Sequence, residues 1–167
     1  MRIPYPLTSE QPPESSDVKL LPEVNLKDRK LLVVDDDVFN ILLARIIAEN
    51  SGMLVSVASD GHQAKDMIND QLYDMVMTDV QMPGISGYDL VSFIRNHPDN
   101  RIGAMPVIAF TASKVSRYDS RYLDAGFNEV LQKPFSEADF LRSIRTLIAV
   151  PPAVPPAFEA PFSCFAV

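Results

Sequence analysis

The sequence predicts an α/β protein built on a doubly wound, parallel sheet of five strands. Short apolar runs alternate five times with segments of helical spacing, the pattern of successive βα units. The runs at 31–34 and 74–79 are close to continuous in apolar residues, as strands covered on both faces are. Acidic, hydroxyl and lysine residues follow several of the runs directly. Such a sheet places its site beyond the carboxyl ends of its strands.

The predicted elements follow the periodicity and the turn residues. Ser51-Gly52 ends the first helix, Pro98 lies beyond the third, Gly126 is a C-terminal cap and Ser136 an N-cap. The predicted strands are 31–34, 54–58, 74–79, 106–111 and 130–131. The predicted helices are 38–49, a segment containing 64–68, 87–96, 116–125 and 136–148.

Prolines mark both ends of the chain, whereas all six glycines lie between Gly52 and Gly126. Segments rich in proline and free of glycine suit extended linkers. We therefore expect a Pro-rich N-terminal linker at 1–26, one domain at 27–150 and a Pro-rich C-terminal tail at 151–167. The tail's three phenylalanines could contact another surface, although disorder or an incidental contact is the simpler expectation.

Composition narrows the classes of function. The formal net charge of −7 argues against a nucleic-acid surface, which needs clustered Lys and Arg. The single cysteine, Cys164, allows no internal disulfide. Residues 1–8 lack the apolar run of a secretory signal, and no stretch is long and apolar enough to cross a bilayer. The sequence predicts a cytoplasmic protein.

Five polar residues follow the predicted strands: Asp35, Asp36, Asp79, Thr111 and Lys133. If the strand ends converge, three carboxylates share one cleft and need a positive counter-charge. Mg²⁺ prefers oxygen ligands and recruits phosphate, while Lys133 adds a second positive charge. A carboxylate in such surroundings is a suitable phosphoryl acceptor.

Four segments resemble the signatures of response-regulator receiver domains: 31–40 (LLVVDDDVFN), 78–87 (TDVQMPGISG), 110–113 (FTAS) and 132–135 (QKPF). They occur in the family's order and spacing, so the resemblance covers about 28–149. It implies a flavodoxin-like fold with strand order 2-1-3-4-5.

The resemblance also implies a metal site. Asp36 and Asp79 would bind Mg²⁺ directly, joined by the backbone carbonyl of Gln81, and Asp35 would act mainly through bound water. Mn²⁺ is an alternative ion. No ligand role is implied for either histidine of the chain, because His62 and His97 lack metal-ligand spacing.

For the phosphoryl group, the resemblance implies that Asp79 is the acceptor. Thr111 resembles the switch hydroxyl, and Lys133 the lysine that pairs with the phosphoryl group. The bond between Lys133 and Pro134 is commonly cis in the family. Gln81 and Ser113 would border the path of a hydrolytic water and tune the lifetime of the acyl phosphate.

The implied partners are a histidine kinase or a histidine phosphotransfer protein, with no direct contact to nucleic acid or membrane. The domain would catalyse only its own phosphorylation and dephosphorylation. A homodimer through the face near strands four and five is a further expectation. Asn40 resembles the receivers carried by hybrid sensor kinases.

One position departs from the family pattern. Receivers often place Tyr or Phe three residues before the lysine, and this chain has Val130 there. Coupling from Thr111 to an output face is therefore open, and the domain could mainly pass the phosphoryl group on.

Two alternatives remain. In a haloacid-dehalogenase-like phosphatase, Asp35 and Asp37 would be nucleophile and general acid, but the chain is short and Asp79 would be unexplained. In a non-phosphorylated scaffold, or pseudo-receiver, the site would be unused, yet every acidic, hydroxyl and lysine position is filled.

Overall fold

The computed structural model of the chain describes residues 24–113 and 120–149. Its centre is a five-stranded parallel sheet in the order β2-β1-β3-β4-β5. The strands are β1 (Lys30–Val34), β2 (Leu54–Ala58), β3 (Met75–Asp79), β4 (Val107–Thr111) and β5 (Glu129–Gln132). The predicted fold class and strand order are both confirmed.

The described helices connect the strands. They are α1 (Val38–Asn50), α2 (Gly61–Asp70), α3 (Gly87–Arg95), α4 (Asn100–Gly103), α5 (Ser120–Asp124) and α6 (Glu137–Ala149). The short α4 was not predicted; the Asp99 side chain caps it by accepting the Arg101 N–H. Residues 114–119 lie outside the described part, so the predicted helix 116–125 is observed only over 120–124.

Two hydrophobic cores cover the two faces of the sheet, because successive side chains of a strand point to opposite faces. In β1, Leu32 and Val34 pack in the core that contains α2 and α3 side chains, whereas Leu31 and Val33 pack in the core of α1 and α6. Every residue of β3 and β4 is buried. This two-sided burial explains why these strands have few polar residues.

The parallel register brings the carboxyl ends of β1, β3, β4 and β5 to one edge of the sheet, here called the carboxyl edge. Val34 pairs with Thr78, and Asp79 pairs with Phe110. The helices run back to the opposite edge: Leu147, near the end of α6, shares a core cluster with Leu26, which precedes β1. The residues that follow the strands are thereby collected at the carboxyl edge.

Helix α1 lies where it was predicted, but the side chains that define its spacing are not the ones it buries. Ala44, Ile47 and Ala48 are buried, whereas Leu42 and Ile46 are about half exposed, at 51% and 48%. Two small side chains, Ala44 and Ala48, let the helix approach the sheet closely, and several of its larger apolar side chains face outward.

The packed domain includes residues placed in the predicted N-terminal linker. Leu26 is buried in the core of α1 and α6, and Val24 packs against it. The remainder of that linker, 1–23, and the tail 151–167 lie outside the described residues. Within 24–113 and 120–149, no helix has the length and apolar content needed to cross a membrane.

Candidate functional site

Three carboxylates meet at the carboxyl edge. Asp35 and Asp36 follow β1, and Asp79 is the last residue of β3. Each offers an oxygen atom, and these atoms all lie within 4.8 Å of one another. Asp35 is fully buried, Asp79 is buried at 9% exposure, and Asp36 is exposed. The structure therefore brings the predicted acidic residues together in a cleft that opens on the side of Asp36.

Hydrogen bonds fix the innermost carboxylate, that of Asp35. Its Oδ1 accepts the backbone N–H of Asp37 at 2.8 Å and a side-chain N–H of Asn40 at 3.3 Å. Its Oδ2 accepts from the Lys133 ammonium at 2.8 Å. Both oxygens of Asp35 are thus engaged and the residue is fully buried, so its carboxylate is held in one orientation; its role at a metal through bound water stays a prediction.

The Asp79 carboxylate is held from two sides. Oδ1 accepts the backbone N–H of Gln81 at 2.9 Å, and Oδ2 accepts from Lys133 Nζ at 2.6 Å. The chain turns over the carboxylate after β3, and Gly87 allows the start of α3 to approach closely. A Cβ at Gly87 would lie 2.4 Å from the Asp79 carbonyl oxygen.

Lys133 is shared by the two buried carboxylates. Its Nζ also lies 4.2 Å from the centroid of the Phe110 ring, a cation–π contact. Burial of the ammonium opposes its charge most strongly, but the hydrogen bonds and charges of Asp35 and Asp79 together outweigh burial and raise the pKa of Lys133. The peptide bond to Pro134 is cis, as the resemblance implied. Lys133 is thus a fixed cation at neutral pH.

Thr111 ends β4, one residue beyond the position that pairs with Asp79. It is buried, and its Oγ1 accepts the backbone N–H of Ser113 at 3.2 Å. Its carbonyl oxygen accepts the Lys133 backbone N–H at 2.7 Å, which joins the ends of β4 and β5. The predicted hydroxyl therefore lies on the strand beside the acidic cluster, next to the lysine.

The chemistry of the acidic cluster fits a divalent cation. Hard cations such as Mg²⁺ take oxygen ligands, and the carboxylates of Asp35, Asp36 and Asp79 supply them at one point. Lys133 compensates only part of their charge. The contribution of the Gln81 carbonyl stays a prediction, although the contact of its N–H with Asp79 brings this residue beside the cluster.

Three supporting contacts were not predicted: the Asp37 backbone N–H on Asp35, the Asn40 side chain on Asp35, and the Phe110 ring beneath Lys133. Asn40 was noted for its family pattern alone. Its spacing of five residues from Asp35, across a helix N-terminus, is the signal that could have indicated the contact. Phe110 was recognised as a strand residue and as part of the 110–113 signature, but its contact with Lys133 was not predicted.

Val130 is buried at 2% exposure in the core of α2 and α3. Aromatic rings in the same region come from other positions: Tyr122 stacks on Tyr88 with centroids 5.9 Å apart, and both contact Phe127 edge-on. The aromatic residue that is common in receivers before the lysine is therefore replaced by an aliphatic core residue beside an aromatic cluster.

The fold and its acidic carboxyl edge define a receiver-type signalling domain. The family model described as the response regulator receiver domain matches residues 31–145, and the chain belongs to that family. Its role is accordingly that of a receiver in two-component or phosphorelay signalling.

Similar proteins include parts of hybrid kinases. The chain is 35% identical over 119 residues to the sensor histidine kinase GacS of Pseudomonas protegens, covering 70% of this chain but 13% of GacS. It is 35% identical over 117 residues to the aerobic respiration control sensor protein ArcB of Escherichia coli, covering 70% of this chain and 14% of ArcB. The chain thus spans a small part of these relatives. A 14.6 kDa protein of Leptolyngbya boryana is 31% identical to this chain, and the match covers 76% of this chain and 96% of that protein.

Solved structures share the fold. A response regulator of Chloroflexus aurantiacus is 30% identical with a TM-score of 0.68, over 74% of this chain and 100% of that one. The receiver domain of the sensor histidine kinase PA1611 from Pseudomonas aeruginosa is 30% identical with a TM-score of 0.65, over 74% of this chain and 99% of that one. That structure contains a magnesium ion coordinated in its active-site cleft.

Proposed function

We propose that this receiver accepts a phosphoryl group on Asp79 from a phosphohistidine, in a reaction that requires Mg²⁺. The observation that carries the proposal is the position of the Asp79 carboxylate, within the acidic cluster and 2.6 Å from the Lys133 ammonium. The donor would be a histidine kinase or a histidine phosphotransfer protein, as the similarity to parts of GacS and ArcB supports. The net charge of −7 gives no reason to expect a direct contact with nucleic acid.

In the proposed reaction, a carboxylate oxygen of Asp79 attacks phosphorus as the bond from phosphorus to the histidine nitrogen breaks. The imidazole leaves with the bonding electron pair and takes up a proton, and Asp79 becomes an acyl phosphate. Hydrogen bonds from Gln81 and Lys133 hold the attacking carboxylate in place. Positioning and charge stabilisation account for most of the catalysis in phosphoryl transfer, so little further chemistry is needed.

Asp36, Asp79 and the Gln81 carbonyl would hold the metal ion, and Asp35 would contact it through water. The bound ion would supply positive charge for the phosphoryl oxygens. Mn²⁺ could replace Mg²⁺, because both accept carboxylate oxygen ligands. This assignment is supported by the convergence of the three carboxylates and by the magnesium site of the PA1611 receiver.

After transfer, the Lys133 ammonium and the Thr111 hydroxyl would bind the new phosphoryl oxygens. Thr111 must then move from its contact with the Ser113 N–H, and this movement would bias an equilibrium between two conformations. The face formed by β4 and β5 would report the change, and we retain the predicted homodimer through that face. Because Val130 is aliphatic, the conformational change would be transmitted from Thr111 to that face through the backbone and the Tyr88–Tyr122 pair.

The receiver would also catalyse loss of its own phosphoryl group. Gln81 lies two residues after Asp79 and Ser113 two residues after Thr111, and both side chains are exposed. An exposed side chain beside an acyl phosphate can admit or exclude the hydrolytic water. We therefore assign these two residues to the lifetime of the phosphorylated state.

A small acyl-phosphate donor tests the central claim. The chain is incubated with the donor and Mg²⁺, and intact masses are compared with those of Asp79→Asn. We expect one phosphoryl adduct that requires Mg²⁺ and is absent from the variant. If Mg²⁺ binds but no adduct forms, the result would favour the alternative of a non-phosphorylated scaffold.

The phosphatase alternative is tested by the same measurement on Asp35→Asn. An adduct retained in Asp79→Asn and lost in Asp35→Asn would replace the proposal with that alternative. The structure gives a reason to expect otherwise: Asp35 is fully buried and both its oxygens accept hydrogen bonds. Its carboxylate has no open approach for a substrate.

A further inference from the structure

An apolar ridge on α1 stands out from the rest of the described surface. It consists of five exposed side chains: Val38 (71%), Phe39 (81%), Leu42 (51%), Leu43 (44%) and Ile46 (48%). Their spacing of three, four and seven residues places them on one side of the helix. They make up five of the nine large apolar side chains that are exposed in the described residues. A contiguous patch of this kind marks a contact surface.

The α1 ridge begins at the candidate site. Val38 and Phe39 follow the acidic residues Asp36 and Asp37 directly, and they are the most exposed members of the ridge. From there the ridge runs along α1 toward the opposite edge of the sheet. Whatever covers the ridge therefore also borders the approach to Asp79.

We propose that residues 150–167 of the same chain, the C-terminal segment, pack on the α1 ridge. The segment has one charged residue, Glu159, and three phenylalanines, Phe158, Phe162 and Phe165. The ridge itself carries no charge, so the two surfaces match in polarity. Residues 1–23 suit the ridge less well, because six of them are charged: Arg2, Glu10, Glu14, Asp17, Lys19 and Glu23.

The C-terminal segment starts in the right place. Helix α6 packs beside α1, and its Leu147 belongs to the same core cluster as Ile47 of α1. The segment therefore leaves α6 close to the end of α1 that is far from the site. Residues 150–157 include four prolines.

The lengths also match. An extended proline-rich stretch rises about 3.1 Å per residue, so residues 150–157 span about 25 Å. The 13 residues of α1 span about 20 Å at about 1.5 Å each. A stretch laid along the helix thus brings Phe158 and the residues after it to the first turns of α1, beside Phe39.

The consequence rests on the proposed function. A macromolecular phosphodonor must reach Asp79 past Val38 and Phe39, and a segment packed there would compete with it. A small acyl-phosphate donor would not be hindered in this way. Removal of 150–167 should therefore increase the transfer rate from a phosphotransfer protein several-fold and leave the rate with the small donor unchanged.

The chain offers a direct test, because Cys164 is its single cysteine and lies in the C-terminal segment. A nitroxide attached there broadens the NMR signals of amides near it. In the dilute full chain labelled with ¹⁵N, we expect broadening at 38–43 in the oxidised spectrum relative to the reduced one. The amides of α3, on the other face of the sheet, should be unaffected.

Matched variants define the surface. Leu42→Ser combined with Ile46→Ser should remove the broadening, whereas Leu72→Ser, an exposed leucine away from α1, should leave it unchanged. A second label, at Ala157→Cys in a Cys164→Ser background, repeats the measurement with the nitroxide placed before the three phenylalanines and not among them. We expect it to broaden α1 amides as well.

Several results would overturn the proposal. One is the absence of α1 broadening from both label positions, and another is broadening that persists in the Leu42→Ser, Ile46→Ser variant. Broadening seen only when ¹⁵N chains are mixed with separate spin-labelled chains would assign the ridge to a second copy. The measurement needs no phosphorylation, so its failure would leave the proposed function of Asp79 untouched.

Discussion

The Lys133 ammonium lies 2.6 Å from Oδ2 of Asp79, although Lys133 follows β5 and Asp79 ends β3, two strands that are not neighbours in the sheet. The same ammonium lies 2.8 Å from the fully buried Asp35. One cation thus compensates two carboxylates that the fold brings together. Under the proposed function, the same ammonium would also bind oxygens of a phosphoryl group on Asp79.

Replacement of Lys133 by Met should destabilise the metal-free protein. The two carboxylates would lose their shared cation, and breaking such a partly buried pair costs about 3 kcal/mol. Chemical denaturation in the presence of a chelator measures the free energy of unfolding. Lys65→Met is the control, since the Lys65 ammonium makes a cation–π contact to Phe93 and a weaker attraction to exposed Asp89, and its loss should cost under about 1 kcal/mol. Equal costs would contradict the role assigned to Lys133.

The contribution of Lys133 should also depend on pH. Because its pKa in the folded protein is raised above the usual 10.5, its stabilisation is complete below that pH and is lost as the pH rises through the folded value. The difference in unfolding free energy between wild type and Lys133→Met should stay constant from neutral pH to about pH 10 and shrink above it. A difference that grew as the pH rose above neutrality would show that the pKa of Lys133 is lowered on folding, not raised.

Asp36→Asn should stabilise the metal-free protein and remove its response to Mg²⁺. Three carboxylates within 4.8 Å repel one another, and loss of one charge should relieve about 1 kcal/mol. A bound ion stabilises the folded state by mass action, so the variant should lose the increase in melting temperature with Mg²⁺. Asp66→Asn, an exposed acid on α2, should keep that increase. An unchanged Mg²⁺ response in Asp36→Asn would exclude Asp36 as a ligand.

Gly87→Ala should be far more damaging than Gly84→Ala. A Cβ at Gly87 would meet the Asp79 carbonyl oxygen at 2.4 Å and Val80 Cα at 2.9 Å, and these backbone atoms cannot move without displacing the acceptor. We expect a cost above about 2 kcal/mol. Gly84 has a φ of +78° with open space around it, so alanine there adds only backbone strain of about 1 kcal/mol. Unfolding free energies of the two variants check the order.

Arg95 should contribute strongly to the stability of the fold, at a position away from the site. Its guanidinium donates to the carbonyl oxygens of Gly126, Gly103 and Met105 and to Asn128 Oδ1, at 2.7–2.9 Å. Burial lowers the pKa of Arg95 to about 10, which still leaves it charged at neutral pH. Arg95→Met would remove four hydrogen bonds; Asn128 Oδ1 would keep the Val107 N–H, and the cost should be about 3 kcal/mol.

The exposed arginine of α4 provides the control for Arg95. The Arg101 side chain is 72% exposed and pairs with Asp99, so Arg101→Met should change the unfolding free energy far less than Arg95→Met. Thermal or chemical unfolding of both variants gives the comparison. If the two cost the same, the hydrogen bonds of Arg95 contribute no more than a surface ion pair.

The residues that end strands were the predictable part of the site. Asp35, Asp79 and Thr111 follow or end apolar runs, and parallel strands in this topology necessarily bring their carboxyl ends together. Lys133 could be predicted for the same reason, although β5 has only four residues. The periodicity also predicted the strand positions to within one or two residues.

The features that could not be predicted depend on contacts between residues far apart in the sequence, or on residues whose pattern fits more than one structure. Helix α1 is apolar on nearly every side, so spacing identified a helix but not the side that Ala44 and Ile47 bury. The bond between Arg95 and Asn128 joins residues 33 positions apart and leaves no local pattern. The short α4 depends on the cap from Asp99, which is indistinguishable in sequence from a turn residue.

The direction of the strands also governs how this domain can be joined to other sequence. β1 begins, and α6 ends, at the edge of the sheet opposite Asp79. A polypeptide fused at either end therefore emerges on the side away from the acceptor and can reach it only by running the full height of the domain. The domain can thus be joined to longer sequences at both ends while the cleft around Asp79 stays open. Attached sequence can cover the cleft only if it folds back along the domain.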